Sequence, residues 1–241
     1  APERWLGILL AYVAIATIVG ARLGHVFFYE WDYYSQHPGE IVKIWNGGLA
    51  SHGGTIAIII ALFMFSWFTS HKPASWVFDK IVIPIALVGA MIRFGNLMNS
   101  EIYGSATDLP WGFVFVRNGE TVPAHPTQLY ESLCYLVLFV VLMWMYWKKN
   151  AQERPWLITG VFFIGIFLSR FLIEYIKNVQ VSSEYDMIAR YGMNIGQMLS
   201  IPFILIGVFL VCWALAHPRV KFSFPDKFPE DPADKKKKNH K

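Results

Sequence analysis

In a chain that is otherwise strongly apolar, a few polar residues recur at helical spacing. Arg93, Asn96 and Asn99 step by three, Gln128 and Glu131 lie three apart, and Arg170 and Glu174 lie four apart. Each set therefore shares one helix face. Two guanidinium groups beside amides and carboxylates suit a phosphate, which the planar arginine fork holds through two parallel hydrogen bonds. Arg22 is a third arginine of this kind, and Glu101 and Gln197 are further polar residues at span ends. In Ser51-His52-Gly53-Gly54 an imidazole adjoins backbone that another chain can approach closely, a setting for acid–base work. The competing reading of the glutamates is structural, with buried side chains joining helices through hydrogen bonds. His52 has a plain reading too, as an interfacial or capping residue.

The elements that carry these residues are apolar enough to cross a bilayer. Of 241 residues, 55% are hydrophobic and 16% charged, and the mean hydropathy is +0.38. That excludes a disordered chain and a disulfide scaffold. Six continuous apolar runs, 5–30, 51–69, 76–99, 125–148, 156–177 and 194–216, predict six transmembrane helices in an all-α polytopic membrane protein. Loop charges orient them. Of 21 basic residues, 14 fall in the N-terminal stub, the second and fourth loops and the tail, against four on the other side. The positive-inside rule puts the stub and tail in the cytoplasm. The remaining three are Arg22, Arg93 and Arg170, inside spans, where an ionisable residue is a functional hypothesis by default. With this orientation, the polar residues of all six spans lie towards the outer leaflet.

Other segments carry smaller expectations. Trp111–Val116 followed by Asn118-Gly119 predicts a small extracytoplasmic β-hairpin. Cys134 and Cys212 sit in apolar runs, as buried hydrophobes rather than a disulfide. Residues 1–216 form the expected transmembrane catalytic domain, and 217–241 a disordered basic cytoplasmic tail. The lysine run Lys235–Lys238 belongs to that tail and is no nucleic-acid-binding face.

The run Arg93-Phe94-Gly95-Asn96-Leu97-Met98-Asn99-Ser100-Glu101-Ile102-Tyr103-Gly104 resembles the signature of the prolipoprotein diacylglyceryl transferase family. Gly20-Ala21-Arg22-Leu23-Gly24, His52-Gly53-Gly54, His125-Pro126-Thr127-Gln128-Leu129-Tyr130-Glu131, Arg170 with Glu174, and Gly196-Gln197 extend the resemblance in order to the start of the tail. The resemblance implies transfer of the diacylglyceryl group of phosphatidylglycerol to the lipobox cysteine of a prolipoprotein. It implies a thioether product, released glycerol phosphate, and no metal or cofactor. It also implies the bacterial inner membrane as location, with the site at the outer leaflet. On this basis His52 is the expected general base, and Arg93 and Arg170 are expected to bind the phosphate. Arg22, Asn96, Asn99, Glu101, Gln128, Glu131, Glu174 and Gln197 are expected to hold the substrate or orient the arginines, and Gly104 to permit a tight turn. The sequence departs from the family pattern at Ile92, Leu97, Ile166 and Lys177. The family has seven spans and this sequence six, so the expectation is a chain without the family's first helix.

A transporter for a phosphate-bearing lipid or solute is the alternative. It would place its ionisable residues near the bilayer midplane, usually with broken helices and an internal repeat. A purely structural membrane subunit would use the arginines for assembly only.

Overall fold

The computed structural model describes residues 3–178 and 188–222. Six of its helices are long and apolar enough to cross a membrane, and their bounds follow the expected runs closely. Only 11% to 39% of the residues in these spans are buried within the protein. Such apolar exposure would be untenable in water and suits a lipid solvent. The chain divides into two compact units, Ala1–Ala74 and Ser75–Val220.

The first unit holds α1 (Glu3–Phe28), the short α2 (Trp31–Gln36) and α3 (Ser51–Met64), which runs on to Ser70 as a wider π turn. α1 and α3 cross where small residues let their backbones touch. A Cβ on Gly53 would lie 2.6 Å from the Gly24 Cα and overlap the Gly20 carbonyl oxygen. In lipid, helices associate largely through such packing, because apolar area alone gives no preference for protein over acyl chains. Neither obstacle is a side chain that can rotate away. Gly53→Ala is expected to force the helices apart and cost about 1–3 kcal/mol, outweighing the better helix propensity of alanine. A thermal melt in detergent checks this, and an unchanged or raised Tm would contradict it.

The second unit holds α4 (Ala74–Met98, from Ser75), α5 (Thr127–Lys148), α6 (Leu157–Ile173) and α7 (Ile195–Ala216). Its apolar core joins Val82, Ile83 and Ala86 of α4 to Leu138 and Leu142 of α5 and to Ile158 and Phe162 of α6. Ser132 Oγ donates to the Ala90 carbonyl at 2.9 Å, a further tie between α5 and α4. α6 and α7 meet at Gly160 and Gly207, each placed so that a Cβ would fall 2.9 Å from the other's carbonyl oxygen. Asp79, 3% exposed, anchors the start of α6 by accepting from the Trp156 and Thr159 N–H groups at 2.8 Å and from Thr159 Oγ1 at 2.6 Å. It thereby satisfies backbone donors that a helix N-terminus leaves open.

Two expectations need correction. The hairpin over Trp111–Gly119 does not form. Among the described residues there is no sheet, only isolated bridges that pair Phe113 with Ala124, Ala106 with Ala124 and Gly104 with Lys177. A two-residue Asn-Gly turn of the primed type needs positive φ at both positions. Gly119 has φ +76°, but Asn118 lies in a 3-10 turn over Val116–Asn118. Competing contacts hold it there, since Asn118 Nδ2 donates to the Ser100 carbonyl and Arg117 to the Met98 carbonyl. The second correction concerns Cys134 and Cys212, which are free thiols but exposed rather than buried. The rule that apolar runs bury their cysteines assumes a water-facing outside, and here the outside is lipid. The tail beyond residue 222 lies outside the described residues.

Candidate functional site: a buried charge cluster

At one end of the second unit, the C-terminal ends of α4 and α6 meet the N-terminal ends of α5 and α7. The chain leaves α4 through a Schellman cap. Ser100 takes a left-handed conformation with φ +59°, its N–H bonds the Leu97 carbonyl at 3.1 Å, and the Glu101 N–H bonds the Asn96 carbonyl at 2.9 Å. This cap returns Glu101 to the helix, where its carboxylate accepts from Asn96 Nδ2 at 2.8 Å. The signature pair Asn96 and Glu101 thus shapes the end of the helix, and Asn99 beside it is exposed.

The segment after the cap is strapped to its neighbours. The Glu101 carbonyl accepts from Gln128 Nε2 at 2.5 Å and the Ile102 carbonyl from Thr127 Oγ1 at 2.9 Å. The Gly104 N–H donates to the His125 carbonyl at 2.8 Å. Gly104 serves a close approach rather than a turn, because a Cβ there would lie 2.5 Å from the Ile176 carbonyl oxygen. Further out, Tyr103 stacks on Phe115 and donates to Glu120 Oε1 at 2.5 Å, a bond that raises the pKa of the phenol.

Five charged side chains occupy the space so framed. Glu131 is fully buried; its Oε2 faces Arg93 Nε at 2.9 Å and its Oε1 accepts from Lys177 Nζ at 2.8 Å. Lys177 also donates to Glu174 Oε2 at 3.1 Å, and Arg170 Nε lies 4.0 Å from that same oxygen. Tyr135, 5% exposed, brings its hydroxyl against Arg93. Arg170 lies in the last turn of α6, where the helix dipole favours cations. Three cations and two anions leave the cluster with one positive charge in excess.

The hydrogen bonding here is incomplete. Among the described residues, three buried side-chain polar atoms lack a hydrogen bond: Glu131 Oε2 and Arg170 Nε of this cluster, and Gln128 Oε1 one turn before Glu131 on α5. The Arg93–Glu131 contact is therefore an ion pair rather than an aligned hydrogen bond. Of these three, Gln128 Oε1 and Glu131 Oε2 are acceptors and Arg170 Nε is a donor. Removing Glu131 would leave Arg93 without a carboxylate partner and Lys177 with Glu174 alone. Glu131→Ala is expected to destabilise the protein by about 3–5 kcal/mol. Thermal unfolding in detergent reads this, and a melt like that of the unaltered protein would contradict it.

Not every expected residue joins the cluster. Gln197 forms a reciprocal capping box with Asn194 at the start of α7, and its Nε2 reaches the Phe171 carbonyl at 3.5 Å. In the first unit, Arg22 is 4% exposed and donates to the carbonyls of Glu40, Ile41, Gly47 and Gly48, with Tyr34 stacked against its guanidinium at 4.9 Å. Four carbonyl dipoles and an aromatic face compensate this cation, which fixes the loop between α2 and α3. His52, also in the first unit, is exposed in the first turn of α3, edge-on to Phe28 and tilted against Tyr29. It makes no hydrogen bond among the described residues. The sequence marked Lys177 only as a loop charge and a departure from the family pattern, not as a site residue, and gave no sign of Tyr135. The i,i+3 spacing of Glu174 and Lys177 was the available signal.

Six bilayer-length helices and a cluster of charged side chains at one end of the second unit define a polytopic membrane protein. The comparisons with known proteins make the class specific. A family profile described as prolipoprotein diacylglyceryl transferase matches residues 3–213, and the chain belongs to that family. Relatives bearing the name phosphatidylglycerol–prolipoprotein diacylglyceryl transferase include one from Porphyromonas gingivalis, 52% identical over 90% of this chain and 80% of the relative. Others come from Chloroherpeton thalassium, 44% identical over 87% and 76%, and Tolumonas auensis, 43% identical over 87% and 79%.

Proposed function

We propose that this protein moves the diacylglyceryl group of phosphatidylglycerol to the lipobox cysteine of a prolipoprotein, at the outer leaflet of a bacterial inner membrane. The observation that supports this reading is the gathering of three buried or half-buried cations, Arg93, Arg170 and Lys177, against two carboxylates in a chain of this family, with the donor Arg170 Nε unbonded.

The chemistry follows from the bonds exchanged. The cysteine sulfur attacks the glyceryl carbon esterified to phosphate. A C–S bond forms, the C–O bond to phosphate breaks, and glycerol phosphate departs with the electron pair. A phosphodiester carries one negative charge and the departing monoester approaches two. Cations placed at that phosphate therefore stabilise the transition state more than the ground state. Arg93 and Arg170 take this role, the guanidinium fork matching the phosphate oxygens. Gln128 Oε1 is free to accept from a head-group hydroxyl. Glu131, Glu174, Asn96, Asn99, Glu101 and Gly104 hold the arginines and the loop beside them. The thiol has a pKa near 8.5 and needs a base to become a nucleophile at neutral pH. His52 is assigned that proton. Gln197 caps the start of α7, and Arg22 secures the loop between α2 and α3. The C-terminus and tail lie in the cytoplasm.

Family membership favours this reaction over transport. The test is incubation of the reconstituted protein with head-group-labelled phosphatidylglycerol and a lipobox peptide. Release of labelled glycerol phosphate that depends on the peptide is the expected result. Lipid or solute flux across liposomes without such release would favour the transporter.

A further inference from the structure

We propose that Lys177 is a positioning residue of this reaction, which keeps both arginines free to bind phosphate by drawing Glu131 and Glu174 to itself. The inference rests on the transferase reading above. The five side chains form an alternating series, Arg93, Glu131, Lys177, Glu174, Arg170, and Lys177 is its centre. Its side chain is 4% exposed and its ammonium lies 2.8 Å from Glu131 Oε1 and 3.1 Å from Glu174 Oε2. Each glutamate is thus shared between the central lysine and one outer arginine. Glu174 Oε2 stays 4.0 Å from Arg170 Nε, and Glu131 presents a single oxygen to Arg93. Neither arginine is held by a carboxylate through both arms of its fork.

Without Lys177 the count changes. Two arginines would face two glutamates, the cluster would be neutral, and each carboxylate would turn wholly onto its arginine. Bidentate pairing is the strongest option open to such a pair at low dielectric. It would occupy the groups a phosphate needs. The backbone fixes Lys177 in place. Ser105 N–H donates to the Ile176 carbonyl at 2.9 Å and Asn178 N–H to the Tyr103 carbonyl at 3.4 Å, forming the bridge between Gly104 and Lys177. A side chain at 104 would block that bridge.

A merely structural lysine would stabilise the glutamates and nothing more. The two accounts separate in the KM for phosphatidylglycerol, measured in mixed micelles on variants whose helicity and melting are recorded in parallel. Lys177→Met is expected to raise KM on the order of tenfold or more, and Lys177→Arg to restore it. Glu131→Gln leaves the arginines less neutralised, so its KM is expected to stay level or fall. A structural role predicts that both single variants err in the same direction. Should Lys177→Met fail to fold, the double variant Lys177→Met with Glu131→Gln decides, because it returns the positive excess. A KM near that of the unaltered protein supports the proposal, and a raised KM overturns it. An unaltered protein that transfers no lipid refutes the transferase reading itself. Normal transfer together with an unmoved KM in Lys177→Met overturns only the role of Lys177.

Discussion

Arg93→Lys is expected to lower kcat for lipid transfer by about 10²–10³-fold, although it keeps the charge. Arg93 does two things at once. Its Nε lies 2.9 Å from Glu131 Oε2, and the Tyr135 hydroxyl lies against the same guanidinium. An arginine can hold a carboxylate with one side of the guanidinium and a phosphate with the other. An ammonium is a single compact donor group that must choose, and buried Glu131 is the nearer anion. The loss should fall chiefly on kcat, because the interaction strengthens as charge develops on the leaving phosphate. Separate measurement of kcat and KM on folded variant protein checks this, and unchanged kinetics would remove the bidentate argument.

His52→Ala is expected to lower turnover at neutral pH by about 10²–10⁴-fold, and its pH profile identifies the cause. A missing base matters most where the thiol is protonated. As pH rises through the thiol pKa near 8.5, the cysteine deprotonates unaided and the deficit should shrink. Rates for both proteins across neutral to alkaline pH provide the comparison. A deficit that stays constant across that range would mean that His52 acts by packing or hydrogen bonding rather than by accepting the proton.

Much of the fold was legible because bilayer length and hydropathy dominate helices in lipid. The six runs read from composition differ by only a few residues from the helices observed. Arg93, Arg170, Glu131 and Glu174 were legible for a related reason. An ionisable residue inside a span is costly, so its presence alone marks it. Lys177 escaped because it stands just past the span, where a lysine normally faces water. Only the bridge to Gly104 brings it inward, and that contact spans 73 positions of sequence. Asn96 and Glu101 were visible as a motif, but their mutual bond depends on a left-handed Ser100, a conformation that serine rarely signals. The hairpin misled for the opposite reason. Its local pattern was sound, yet tertiary bonds from Arg117 and Asn118 to the end of α4 outweighed it. Arg22 was recognised as lying inside a span, but the carbonyls that surround it come from a loop with no periodicity to read.

The central claim is that a cysteine becomes lipidated at the expense of phosphatidylglycerol. It is tested most directly by mass spectrometry of a lipobox peptide after incubation with the reconstituted protein and phosphatidylglycerol of defined acyl chains. The expected result is a mass increase on the cysteine equal to one diacylglyceryl group, which alkali trims to a glyceryl thioether by removing the two ester-linked acyl chains, and which is lost in Arg93→Lys. An unmodified peptide in the presence of folded, lipid-binding protein, or a modification on any other residue, would contradict it.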